Sequence, residues 1–211
     1  MAIFIASAIE LEVQRVSDYG WVKGIMTDPL LFAKVAFTPE NTLGRLAQID
    51  LRPIFYHLST QNGAEWPREE KKVRDIVGDQ VVLVLPATED GLRFVADNRG
   101  NGIYAITGVF NILQALAARE TGAKYIILPA GRIKGTLYDA MDAISEVSGI
   151  LVGTEAELVA SFVKSAEWVS ACFKAGANHV AVSNSVIDAM LLNENMGLLL
   201  DEYRSRGTHV R

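Results

Sequence analysis

One cysteine, three histidines and six prolines among 211 residues leave little material for several kinds of chemistry. Cys172 has no partner for an internal disulfide, so the expected setting is a reducing one, the cytoplasm. His57, His179 and His209 are scattered without metal-ligand spacing, and neither a metal nor a cofactor is expected. Basic runs are missing as well: 20 Lys and Arg stand against 25 Asp and Glu, with no aromatics threaded among the cations, which argues against nucleic acid as a partner. No apolar segment is long enough to cross a bilayer, so no membrane partner is expected. The opening Met-Ala-Ile-Phe-Ile-Ala-Ser-Ala carries small residues at Ala6, Ser7 and Ala8. It lacks a basic leading region and a sufficient apolar run, and reads as a first strand rather than a signal peptide. There is no Walker motif, and the Gly-rich Arg99-Gly100-Asn101-Gly102 precedes a strand instead of joining strand to helix, so it is no dinucleotide fingerprint.

Half of the residues are hydrophobic, enough for a sizeable core in one domain spanning residues 1–211. The apolar residues arrive in short runs of buried-strand type, each followed by helical spacing. Strands are expected over residues 2–7, 22–27, 52–59, 81–86, 102–107, 124–129, 157–162 and 179–183. Helices are expected between them, among others over 10–19, 65–77, 109–120, 135–148 and 165–175, with a C-terminal helix at about 193–207. Capping chemistry marks several starts: Asp28 before Pro29, and Thr88 before Glu89 and Asp90. Eight strand-then-helix units point to an α/β fold, a (β/α)8 TIM barrel with a C-terminal helical extension; an open doubly wound sheet is the alternative.

A barrel keeps its chemistry at the C-terminal ends of the strands. That rule singles out Ser7, Thr27 and Asp28, Ser59, Thr88, Thr107, Arg132 with Lys134, Ser161 with Lys164, and Ser183: hydroxyls with one cationic corner. Each has a structural counterpart. Asp28 is accounted for by capping a helix, and a lone Arg132 by pairing with a rim carboxylate. Tyr56 alternates with Ile54 and Leu58 and is expected to fill the barrel interior, its hydroxyl within reach of a ligand. Cys172, on an outer helix with no base nearby, is not expected to be a nucleophile.

Four stretches resemble the transaldolase family, in particular its small fructose-6-phosphate aldolase and transaldolase-like branch, over nearly the whole chain. Gly24-Ile-Met-Thr-Asp-Pro29 is similar to the Gly-Val-Thr-Thr-Asn-Pro after the family's second strand. Val82-Leu-Val-Leu-Pro-Ala-Thr-Glu-Asp-Gly-Leu92 resembles Val-Val-Lys-Val-Pro-Val-Thr-Ala-Glu-Gly-Leu. Ile106-Thr-Gly-Val-Phe110 is similar to the Gly-Thr-Ala-Val-Tyr of the fifth strand end, and Ala160-Ser-Phe162 matches the seventh, with Arg132 on the arginine that ends the sixth. The resemblance implies a barrel acting in carbohydrate metabolism and a phosphate held by Arg132 and Ser161, with Thr27, Asp28 and Thr107 retained from the family's site; by their place at the mouth Lys134 or Lys164 is expected to add charge at the phosphate, and Ser7, Thr27 and Asp28 to contact the ligand. It also implies an imine-forming lysine on the fourth strand, where this chain has Val84, and no residue from 80 to 88 is lysine. The family's first-strand aspartate falls on Ala6, its third-strand Gln or Glu on Tyr56, and a tyrosine after the sixth strand on Pro129.

Valine cannot convert a carbonyl into the iminium that makes carbon–carbon cleavage possible. Lys23 and Lys124 precede their strands at the far end of the barrel, and Lys34, Lys71 and Lys72 are assigned to helices. Only Lys134 and Lys164 are expected at the upper face. The resulting expectation is a barrel that binds a phosphorylated sugar or similar small anion without imine chemistry, a pseudoenzyme. The alternatives are an enzyme with a relocated amine or with Asp28 as base, Thr107 and Tyr56 assisting, and a purely structural assembly. Leu198, Leu199, Leu200 and Tyr203 on the C-terminal helix suit either docking onto another copy in a ring or packing on the chain's own barrel.

Overall fold

Eight parallel strands close on themselves, β1 pairing with β8, in a computed structural model that describes residues 1–58 and 63–207. The chain runs through β1 (Ala2–Ala6), α1 (Glu10–Ser17), β2 (Val22–Met26), α2 (Pro29–Phe32), α3 (Pro39–Leu46), β3 (Ile54–His57), α4 (Trp66–Val77) and β4 (Val81–Pro86). The second half continues through α5 (Glu89–Asp97), β5 (Ile103–Thr107), α6 (Ile112–Glu120), β6 (Tyr125–Leu128), α7 (Leu137–Leu151), β7 (Glu157–Ala160), α8 (Ala166–Lys174) and β8 (His179–Val182). Two helices, α9 (Asn184–Leu191) and α10 (Glu194–Gly207), follow. Neighbours in sequence are neighbours in the sheet all the way round, and closure excludes the open doubly wound alternative.

Strand alternation separates two apolar layers. In β4, Val81, Leu83 and Leu85 face the helices, while Val82 and Val84 face the barrel axis. The inner set, with Phe4, Met26, Phe55, Ala105, Ile127, Val159 and Ala181, fills the interior, so the barrel is a packed core and not a pore. Its lower end is plugged by aromatics: Phe4 stacks on His179 at 5.0 Å, and Phe55 meets Tyr125 edge-on at 5.0 Å. There Glu157 accepts from both Lys124 and His179, at 2.9 and 2.7 Å, which ties β6, β7 and β8 together at the end away from the mouth.

Helix starts follow the polar residues after the strands. Asp28 accepts from the Leu31 amide with Pro29 in the first turn, Thr88 from Gly91, and Ser165 from Trp168. The same chemistry moves the starts of two expected helices. Asn111 caps α6, which therefore starts at Ile112 and not at 109; the reciprocal box of Thr136 and Asp139 starts α7 at Leu137, and its apolar stripe carries it on to Leu151. β7 stops at Ala160, two residues early, because Phe162 adopts a left-handed backbone with φ 56° that cannot continue a strand. Tyr56 does not fill the interior. It belongs to the outer layer, where its hydroxyl donates to Glu69 at 3.1 Å and its ring packs 5.8 Å from that of Phe32. The inward residues of β3 are Phe55 and His57. Among the described residues no helix is long and apolar enough to cross a membrane. Ser59 and His209 lie outside the described residues.

Candidate functional site

The C-terminal ends of the strands surround an open cavity of about 530 Å³, within the range of small-molecule sites. Its floor and walls are apolar where the inner layer surfaces, at Ala6, Met26, Ile127 and Ala181. Asp28 reaches it from the loop after β2, Lys34 from just beyond α2, His57 from the end of β3 and Thr107 from the end of β5. Across the opening stand Arg132, Ser161, Phe162 and Lys164, from the segments after β6 and β7, with Ser183 after β8.

The corner at β6 and β7 is built by close approach. Residues Ala130–Arg132 form a single 3-10 turn, and the Gly131 amide donates to the Ser161 carbonyl at 3.4 Å. A Cβ on Gly131 would stand 1.9 Å from the Phe162 carbonyl oxygen, so only glycine lets the two segments meet. The left-handed backbone of Phe162 sets its ring beneath the Arg132 guanidinium, 4.6 Å from Cζ to the ring centroid. A bulky residue held in that region is costly, and such strain concentrates at functional sites. Arg132 itself is exposed and, among the described residues, has no carboxylate partner. The rim-pairing role that would make it merely structural is therefore not what it does. Ser161 Oγ is buried without a hydrogen-bond partner among the described residues, a state that costs about 1–3 kcal/mol until a ligand or water completes it. Lys164 adds charge at the same edge, its ammonium 5.0 Å above the Trp168 ring. Gly131→Ala is expected to cost about 1–3 kcal/mol in a urea titration, because the obstacle is backbone and the two segments must part.

Several expected contacts go elsewhere. Thr27 is buried, does not line the cavity, and donates its hydroxyl to the Phe55 carbonyl at 2.7 Å, stitching the end of β2 to β3. Ser7 donates to Glu12 at 2.6 Å and accepts from the Ile9 amide, and it lines a smaller adjoining pocket with Ser185 and Asp188. Lys134 is exposed and does not line the cavity. Val84 is buried in the inner layer without lining the cavity. Asp28 and Thr107 do line it, Asp28 with one carboxylate oxygen committed to the Leu31 amide at 2.8 Å. Cys172 is buried under the outer helices, where loss of water pushes its thiol up to about 12, which disqualifies it as a nucleophile.

Sequence reasoning passed over His57 and Lys34. Lys34 lies just beyond α2, which ends at Phe32, and so escapes the helix to which it was assigned. His57 pairs in register with Val84, and its Nε2 is buried with no partner among the described residues. Burial pushes the ring down to about 4, against a smaller opposing pull from the Asp28 charge. The folded protein thus holds His57 neutral while the unfolded chain protonates near its ordinary 6.5. As pH falls the unfolded state gains its proton first, so this contribution is present above 6.5 and lost towards 4. Between pH 7.5 and 5 the wild type is expected to lose about 2 kcal/mol more stability than His57→Gln, measured by denaturant titration at both pH values.

No described group of three or more His, Cys, Asp or Glu side chains is placed to hold a metal ion. The cavity brings together Arg132, Lys164 and the Ser161 hydroxyl on one side and the His57 imidazole, the Asp28 carboxylate and Lys34 on the other. The fold and this mouth define a (β/α)8-barrel protein with a cavity at the strand ends, apolar at its floor and edged by charged and hydroxyl side chains.

The chain is transaldolase-like. It is 29% identical over 195 residues to a probable transaldolase of Nitrosopumilus maritimus, spanning 90% of this chain and 87% of that one. It is 26% identical over 193 residues to a probable transaldolase of Coprothermobacter proteolyticus (90% and 88%), and 25% identical over 206 residues to one of a Hydrogenobaculum species (96% and 94%). No family model matches the chain.

Proposed function

We propose that this transaldolase-like barrel binds a phosphorylated sugar or a similar small anion in its mouth and does not perform imine chemistry, acting as a non-catalytic relative of its family. The observation that carries this reading is the corner at β6 and β7, where a guanidinium without a carboxylate partner and a buried hydroxyl without a hydrogen-bond partner among the described residues line the same cavity. An arginine fork with a hydroxyl suits the oxygens of a phosphate, and the names of the relatives support a sugar as the rest of the ligand. Against catalysis stands the inner face of β4, which offers only Val82 and Val84 where the resemblance implies a lysine. Thermal-shift and calorimetric titration with fructose 6-phosphate and with inorganic phosphate test the reading. Stabilisation by fructose 6-phosphate is expected, and none by either compound would favour a purely structural barrel.

The exposed apolar residues of the last two helices support assembly with further copies of this chain. Leu191, Leu192, Met196, Leu198 and Tyr203 are each more than half exposed, beyond what one copy covers. Sedimentation is expected to find an oligomer that Leu198→Glu with Tyr203→Glu dissociates; a monomeric wild type would overturn this.

A further inference from the structure

Two residues that line this cavity each carry a polar atom that is buried and unpartnered among the described residues: Ser161, just after β7, with its Oγ, and His57, at the end of β3, with its Nε2. In the closed order of eight strands β3 and β7 stand four apart, on opposite sides of the barrel. The net charge differs between the two sides. Arg132 and Lys164 lie with Ser161, whereas on the β2 and β3 side Asp28 and Lys34, of opposite sign, lie with His57. An anionic group is attracted to the first side, while on the second the carboxylate and the ammonium offset each other. The second side accordingly suits an uncharged oxygen.

We propose that His57 hydrogen-bonds a hydroxyl or carbonyl oxygen of a ligand whose phosphate rests on Arg132 and Ser161, so that the mouth selects phosphorylated sugars long enough to reach across it over bare phosphate. This rests on the anion-binding reading above and adds which residue takes the far end. The imidazole is suited to the task. Kept neutral by burial, it offers one nitrogen as donor and the other as acceptor, and it satisfies either a carbonyl or a hydroxyl. Its place beside Val84 in the register gives it the position at which a covalent contact is missing, and a hydrogen bond is the contact the residues there can supply. Asp28, with one oxygen already on the Leu31 amide, has a second with which to accept from a neighbouring hydroxyl.

The test uses full-length protein with nitrogen-15 in its histidines, titrated with fructose 6-phosphate and with inorganic phosphate while the ring nitrogens are followed by NMR. Fructose 6-phosphate is expected to shift the His57 Nε2 resonance, and inorganic phosphate to bind without doing so. In calorimetry His57→Leu is expected to weaken fructose 6-phosphate about tenfold, the worth of one hydrogen bond, and His57→Gln to recover most of it. Inorganic phosphate should bind all three forms alike. An unshifted His57 in saturated wild type overturns the proposal even if a variant misfolds, as does equal weakening of both ligands by His57→Leu. Binding of phosphate with no gain for the sugar overturns the His57 contact alone, whereas failure of both ligands to bind the wild type overturns the anion site beneath it as well.

Discussion

Sodium borohydride added with dihydroxyacetone or fructose 6-phosphate is expected to leave the mass of this protein unchanged. A lysine that forms an imine must be available as the free amine, which enzymes secure by desolvating it in an apolar pocket or by setting a second cation beside it. The buried, apolar position here is Val84, on the inner face of β4. The two lysines that reach the cavity, Lys34 and Lys164, are both solvent-exposed. Lys164 also lies over the Trp168 ring, which attracts an ammonium ion and does nothing for an amine. Lys23 and Lys124 are at the opposite end, Lys124 in an ion pair with Glu157. Mass spectrometry of the intact chain after reduction would show a single added ligand if any of these reacted, and peptide mapping would name it; such an adduct overturns the non-catalytic reading. Val84→Lys with Ala6→Asp supplies the complementary result. Ala6 lines the cavity and Val84 is in the inner layer beside the small Ala105, so the double variant is expected to trap an adduct where the wild type does not. A double variant that folds and stays unmodified would mean that the pocket has been rebuilt around the loss.

Local chemistry was the most readable part of the chain. The caps Asp28 and Thr88 are spelled out by a short polar residue before a helical run, and their side chains do accept backbone amides; Ser165, assigned to its helix, caps it instead. Eight runs of buried type were enough to suggest closure, because each strand is apolar on both faces. That same double burial hid the facing of β3. In Ile54-Phe55-Tyr56-His57 all four residues are bulky, so alternation leaves both phases open, and the phase through Tyr56 hid His57. Freedom from partners was hidden too. A sequence shows that Arg132 and Thr27 stand at strand ends, but only packing reveals that Thr27 spends its hydroxyl on a carbonyl and Arg132 spends its charge on nothing but a ring face. The left-handed turn at Phe162 had no signal at all, since a non-glycine residue there is held by its surroundings and not by its own preference.

Arg132→Ala is expected to weaken fructose 6-phosphate by about ten- to a hundredfold while leaving the protein as stable as before. The two halves of this prediction separate binding from folding. A charge-assisted hydrogen bond contributes about 1.5–3 kcal/mol, which at 1.4 kcal/mol per tenfold gives that range. Stability has little to lose, because the guanidinium is exposed, has no ion pair among the described residues and touches Phe162 from the solvent side; substitutions of that kind stay within about 0.5 kcal/mol. Arg132→Lys should fall between, keeping the charge but losing the planar fork. The wild-type affinity should also drop as salt rises from 50 to 500 mM, and the drop should be smaller in Arg132→Ala, since screening removes an attraction that the variant has already lost. Calorimetry at both salt concentrations, with urea titrations of the same samples, reads all of these. If Arg132→Ala binds as the wild type does, the phosphate lies elsewhere in the mouth and Ser161 is left without the ligand its unpaired hydroxyl implies. If the variant instead unfolds, the contact with Phe162 supports the left-handed turn, and the corner at β6 and β7 is a structural clasp.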